Sequence, residues 1–191
     1  MRRTVTTAAT IALLVAASCG PQTPPPQPDA AAQPAPIPAG ALPGTASEAV
    51  ALDVRTVATD AIAEEELETL LVDAGFEGGS ERTFSRIAGG RRRMLARVLE
   101  FETAAGAQLY VRWLTDHVEE VIGDARPDPA LEAPAGGAVY VHEPDPCCHN
   151  ETRIFLAIWA EGHRAITLEI AGQAARASDV AELASSLDGA V

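Results

Sequence analysis

Nine prolines fall between residues 20 and 46 (Pro21, Pro24, Pro25, Pro26, Pro28, Pro34, Pro36, Pro38 and Pro43), set among glutamine and alanine. Each proline removes a backbone donor, and the stretch has too little apolar bulk to build a packed core. It is expected to run as an extended, semi-rigid spacer, reaching about 3.1 Å per residue where it is polyproline-like. A fold must therefore come from residues 48–191, and about 140 residues are enough for one hydrophobic core without disulfide staples. The expected division is 1–18, 19–47 and 48–191.

Ahead of the spacer, Met1-Arg2-Arg3 is followed by an apolar stretch from Val5 to Ala17 that closes on small residues. This is the build of an export leader, and the run is too short to span a bilayer as a helix. Its end, Val15-Ala16-Ala17-Ser18-Cys19-Gly20, resembles the lipobox of bacterial lipoproteins. There a small residue precedes a cysteine that receives a diacylglyceryl group, which implies lipidation (diacylglyceryl and palmitate) at Cys19. Ala16 departs from the leucine usual three positions before that cysteine. An ordinary cleaved signal ending at Val15-x-Ala17 is the alternative. On the lipoprotein reading residues 1–18 are the signal peptide and 19–47 are the lipidated cysteine and its tether. The partner is then the cell membrane, held from its extracytoplasmic face.

Charge narrows the partners further. The fourteen basic residues are all arginine, against 27 acids, for a formal charge of -13. Removing Arg2 and Arg3 with the leader deepens that to -15. Nucleic acid binding depends on basic side chains neutralising phosphates, so no nucleic-acid partner is expected. An electrostatic grip on anionic lipid is disfavoured for the same reason.

The residues beyond the spacer carry mixed periodicities. Asp60 can cap a helix with Leu67, Leu70, Leu71 and Ala74 on one stripe and Gly75 as its stop. Its acidic run Glu64-Glu65-Glu66 suits a helix start, where the macrodipole favours negative charge. Strands Glu81 to Ile87 and Met94 to Glu102 flank Ala88-Gly89-Gly90, a hairpin signal. In the second strand Leu95, Leu99 and Phe101 share a face with Arg97, and Met94, Ala96 and Val98 share the other, as expected of a central strand.

Thr103 then caps a helix whose stripe runs from Ala107 through Val121 to Gly123. After the proline-marked stretch Pro127 to Pro134 come strand Ala138 to His142 and a hairpin of Arg153 to Ala160 and Arg164 to Ile170. Ile166, Leu168 and Ile170 alternate with Thr167 and Glu169, which leaves one wet face. A last helix begins near Ser178 or Asp179, with Glu182 placed for a capping box. The order α-β-β-α-β-β-β-α predicts an α+β fold, an antiparallel sheet with helices packed on it.

Two phrases carry a resemblance. Gly75-Phe76-Glu77-Gly78-Gly79-Ser80-Glu81-Arg82-Thr83-Phe84 resembles a run seen in uncharacterised actinobacterial lipoproteins, and Glu100-Phe101-Glu102-Thr103-Ala104-Ala105-Gly106-Ala107 resembles their step into the middle helix. The element order is also similar to that of the PsbP/Mog1-like group, to which several mycobacterial lipoproteins are similar. The resemblance implies a ligand- or partner-binding module of the cell envelope. It transfers no catalytic residue, because the matched positions are turn glycines, a cap and core apolars.

The segment His142-Glu143-Pro144-Asp145-Pro146-Cys147-Cys148-His149-Asn150 is the chemical outlier. With Cys19 lipidated, Cys147 and Cys148 are the remaining thiols, outside the cytoplasm, where disulfides persist. Adjacent cysteines place their Cα atoms about 3.8 Å apart, below the usual disulfide range, so a bond between them is strained and easily reduced. One reading is such a disulfide or thiol pair stiffening the loop. A second is a metal set of His142, Cys147, Cys148 and His149, whose ligand types suit zinc or copper although neighbouring side chains converge poorly. A third is pairing with another envelope protein or thiol redox sensing.

Other features have plainer explanations. Arg91-Arg92-Arg93 reads as an exposed hairpin edge whose charge discourages aggregation, ahead of a phosphate or carboxylate grip. Asn150-Glu151-Thr152 matches a glycosylation sequon by chance. Trp113 and Trp159 fall in apolar patterns and read as core. No nucleophile elbow or comparable motif accompanies the serine, histidine and aspartate residues, so no enzyme activity and no cofactor are expected. The expected function is a non-catalytic, membrane-anchored lipoprotein binding a small ligand, lipid or partner protein of the envelope. The alternative is metal or thiol-redox work through Cys147, Cys148 and His149.

Overall fold

The computed structural model describes residues 35–59, 61, 63–86, 92–144, 152–172 and 175–191. Residues 31–191 form one compact unit. The signal-peptide and lipidation expectations at Cys19, the cap at Asp60, the hairpin turn at Ala88-Gly89-Gly90 and the Cys147–His149 segment lie outside the described residues.

The architecture is α+β, an eight-stranded antiparallel sheet with five helices on it. Two short strands, β1 (Thr45–Ala46) and β2 (Val50–Leu52), precede helices α1 (Val54–Ala58) and α2 (Glu64–Asp73). Strands β3 (Phe76–Arg86) and β4 (Arg92–Phe101) follow, then helices α3 (Ala104–Asp116) and α4 (Val118–Ile122). Strands β5 (Ala125–Pro127), β6 (Ala138–His142), β7 (Ile154–Glu161) and β8 (Arg164–Gly172) precede helix α5 (Ala177–Asp188). The strand order is β1-β3-β4-β8-β7-β6-β5, with β2 also on β3. Both expected hairpins form: Arg86 pairs with Arg92 across β3 and β4, and Glu161 with Arg164 across β7 and β8.

The period-two alternation of each strand sorts side chains into two cores. Met94, Ala96, Val98, Ile166, Leu168 and Ile170 face α5 and its buried Val180, Leu183, Ala184 and Leu187. Leu99, Phe101, Leu156 and Ile158 face α1 to α4, including Leu67, Leu71, Tyr110 and Leu114. The sheet is thus the middle of three layers, and β4 and β8 lie at its centre.

Local chemistry explains several ends. Asp53 accepts hydrogen bonds from the Thr56 backbone N–H (2.7 Å) and hydroxyl (2.6 Å), capping α1. Those bonds hold the Asp53 carboxyl below its ordinary value of 3.8. Thr103 caps α3 by accepting from Gly106 N–H at 3.1 Å, as its sequence position predicts. Gly75 ends α2 with φ 71, the left-handed turn that glycine adopts at little cost. Gly106 has a different reason: a Cβ there would collide with the Ala74 carbonyl, where the first turn of α3 meets the end of α2.

Five expectations need correction. The ordered domain begins upstream of residue 48. Ile37, Ala41 and Leu42 are buried in the α5-side core, and the Ser80 hydroxyl accepts from Ile37 N–H (3.3 Å) and donates to the Ala35 carbonyl (3.4 Å). The apolar residues at the end of the proline segment are covered by the sheet, which composition alone conceals. The first long strand starts at Phe76, five residues before Glu81, and takes up a register irregularity between Phe76 and Gly78.

The helix begun at Thr103 is two helices, broken at His117 (φ -111, ψ 16). Helix α5 starts at Ala177 after Arg176, which makes no side-chain cap, so the box starting at Asp179 does not form the boundary. Arg92 and Arg93 are not on a sheet edge, because β4 pairs with β3 on one side and β8 on the other.

Candidate functional site

His142 ends β6, opposite Ala125 on β5 and Ile154 on β7. Its Nδ1 is buried beside Gly123 without a hydrogen-bond partner among the described residues. The other three members of the expected metal set, Cys147, Cys148 and His149, lie outside those residues. Among the described residues no group of three or more His, Cys, Asp or Glu side chains is placed to hold a metal ion.

A different place stands out. On the α1–α4 side, the centre of the sheet carries polar rows fixed by strand register. Glu81, Arg97 and Thr167 are consecutive partners across β3, β4 and β8. The next row is Thr83, Leu95 and Glu169. Side chains directly opposite one another stand roughly 5 Å apart, so each row is a continuous surface. Helices α3 and α4 stand over these rows without sealing them, and a cleft of about 210 Å³ remains. Its floor is Leu95, Arg97, Thr167 and Glu169. Apolar walls come from Val57, Leu67, Leu114 and Leu156, and Trp113, His117, Glu120 and Val121 also line it.

Arg97 organises the floor. Its Nε (3.0 Å) and Nη2 (2.6 Å) both donate to one oxygen, Oε2 of Glu81, on the neighbouring strand. The two side chains keep only 26% and 24% of their surface, so most of the pair is buried. The Tyr110 hydroxyl lies against the same guanidinium. Burial opposes the charge on Arg97, but Tyr110 and Glu81 beside it more than offset this, and its proton is held above the ordinary value. Burial pushes the Tyr110 phenol above 10.0, with Arg97 opposing that shift, so it remains a neutral hydroxyl.

The rim is built by the break in the helix. The His117 ring stacks on Trp113 with centroids 4.3 Å apart. Its Nδ1 lies 2.8 Å from the Trp113 carbonyl; that oxygen can only accept, so Nδ1 is the donor. The Trp113 indole donates to Glu66 Oε1 at 3.0 Å, tying α3 to α2. Arg93 and Glu169 form an ion pair at 3.0 Å at the far end of the floor.

No family model and no curated protein matches the chain. Among solved structures, it is similar to the extracellular domain of PknH from Mycobacterium tuberculosis, with 10% identity and a TM-score of 0.50. The match covers 76% of this chain and 84% of that one. The fold is similar to that of an actinobacterial extracellular domain. Among the described residues, no helix is long and apolar enough to cross a membrane. Trp113 and Trp159 are buried, as their patterns suggest.

The sequence signals for the cleft were the polar members of otherwise apolar strands. Arg97 shares a face with Leu95, Leu99 and Phe101, and Thr167 and Glu169 form the wet face of β8. Glu81, Tyr110 and His117 carry no local signal, since their roles arise only when distant strands and helices meet.

Proposed function

We propose that the chain is a membrane-anchored lipoprotein of the cell envelope whose extracytoplasmic domain binds a small ligand in the α3–sheet cleft, without catalysing a reaction on it. The observation that carries this reading is the cleft itself: polar rows at the centre of the sheet, half-covered by helices and ringed by apolar side chains. Helices pack on both faces of this sheet, so its central strands are expected to carry apolar side chains on both. Keeping Arg97, Thr167 and Glu169 there forgoes burial, and a concave apolar site with a few convergent polar groups is the usual form of a ligand pocket.

The lipobox-like sequence at Cys19 supports the anchor, and the fold shared with an extracellular domain supports the extracytoplasmic location. Relationship to the actinobacterial lipoproteins and the PsbP/Mog1-like group belongs to the same proposal, as does the absence of a nucleic-acid partner. Native mass spectrometry tests it. Residues 31–191 produced in the envelope should carry a small-molecule adduct that is absent from a Leu114→Trp variant with the cleft filled. No adduct, or one unaffected by that variant, counts against the cleft.

A second reading, metal or thiol chemistry through Cys147, Cys148 and His149, is favoured by the buried Nδ1 of His142 at the foot of that segment, which has no hydrogen-bond partner among the described residues. Intact mass and metal content of protein purified without reductant or chelator tests it. One metal per chain, lost in Cys147→Ser and Cys148→Ser variants, would support it. A mass lower by two hydrogens with no metal would point to a Cys147–Cys148 bond.

A further inference from the structure

Resting on the cleft as a ligand site, we infer that its ligand is uncharged and carries a carbonyl oxygen, of the acyl amide or acyl ester class, bound on the free N–H groups of Arg97. A guanidinium has five N–H donors in a rigid fork. Two of Arg97's are taken by the same Glu81 oxygen. Tyr110 lies against the group, and no other acceptor among the described residues hydrogen-bonds it. Glu81 and Tyr110 together leave part of the five-donor fork unused, and Arg97 lines the cleft. Thr167, directly opposite Arg97 on β8, adds a hydroxyl beside it.

The charges around the cleft decide between a neutral acceptor and an anion. Arg97 is matched by Glu81, and Arg93 by Glu169. Glu120 lines the rim and has no ion-pair partner among the described residues, and Glu66 stands just behind Trp113. A carboxylate or phosphate would therefore share an already neutralised guanidinium and face an excess of negative charge. A carbonyl oxygen uses the same donors without that repulsion. The apolar walls, including Val57, Leu67, Leu114 and Leu156, suit a short hydrocarbon chain behind the carbonyl.

The test uses ¹H–¹⁵N NMR titrations of residues 31–191 at pH 7 with hexanamide, hexanoate and benzene. The expected result is that hexanamide binds in the cleft at least about tenfold more tightly than hexanoate, the equivalent of one full step in log Kd. In Arg97→Lys the preference should fall, because the ammonium keeps the charge and loses the fork. The double variant Arg97→Met, Glu81→Gln should abolish it without leaving a lone buried carboxylate.

Hexanoate binding as tightly as hexanamide, or more tightly, would overturn the inference. If that happens while benzene still shifts cleft resonances, the cleft remains a ligand site and only the ligand class is wrong. If none of the three shifts cleft resonances, the reading of the cleft itself fails. The wild-type preference is measured without any variant, so a variant that fails to fold does not blunt the test.

Discussion

The fully buried indole of Trp159, on β7, donates from Nε1 to Oδ1 of Asp188 at 2.7 Å, joining the sheet to the last turn of α5. This bond crosses the α5-side core and satisfies a polar group that would otherwise sit in a hydrocarbon environment. Asp188→Ala should cost about 1–3 kcal/mol, because the indole N–H is left without an acceptor. The Trp159→Phe, Asp188→Ala double variant should lose less than the sum of the single variants, as expected for contacting residues. Urea unfolding of all three proteins checks this, and strict additivity would mean the bond carries no coupling.

The upstream segment is part of the fold. Ile37 and Leu42 are 1% and 3% exposed. Burying such side chains contributes about 1.5–3 kcal/mol each. A protein starting at residue 48 should therefore unfold at clearly lower urea concentration than one starting at residue 31. Equal midpoints would show that the segment lies on the sheet without stabilising it.

Gly106→Ala separates intrinsic propensity from packing. Alanine favours a helix over glycine by about 1 kcal/mol. At this position the new Cβ meets the Ala74 carbonyl, so the variant should be destabilised by about 1–3 kcal/mol through overpacking. A gain in stability would show that α2 and α3 are free to move apart.

Tyr110 supplies a pH signature. Its folded value is raised above 10.0, so the stability it contributes is present below about pH 10 and is lost as the pH climbs through the raised value. In a Tyr140→Phe background, which leaves one tyrosine, phenolate absorbance should appear only above the ordinary range. Arg97→Met should push it higher still, since Arg97 opposes the upward shift. Ionisation at the ordinary value would place the Tyr110 hydroxyl in contact with water.

Much of the scaffold was legible because it depends on local period and punctuation. The two faces of β4 follow from alternation, with Met94, Ala96 and Val98 on one and Leu99 and Phe101 on the other. Thr103 and Gly75 mark their helix ends by side-chain and backbone chemistry that needs no tertiary partner.

The cleft was only half legible. The wet face of β8 reads locally as a face turned to bulk solvent. Strand order places β8 next to β4 at the centre of the sheet, where the same residues become a floor under helices. Register set by residues far apart in sequence brings Glu81, Arg97 and Thr167 together, and no window of one strand contains it. The break at His117 was hidden for a related reason. The apolar stripe continues from Leu114 to Val118, while the kink expresses itself in the imidazole's contact with the Trp113 carbonyl.

The most direct test of the central claim is where a bound ligand perturbs the protein, read residue by residue from ¹H–¹⁵N spectra of residues 31–191 titrated with hexanamide. Shifts gathered on Leu95, Arg97, Tyr110 and Thr167, and absent from the Leu114→Trp variant, are the predicted result. Shifts confined to His142 and its neighbours on β6, with the cleft silent, would contradict it.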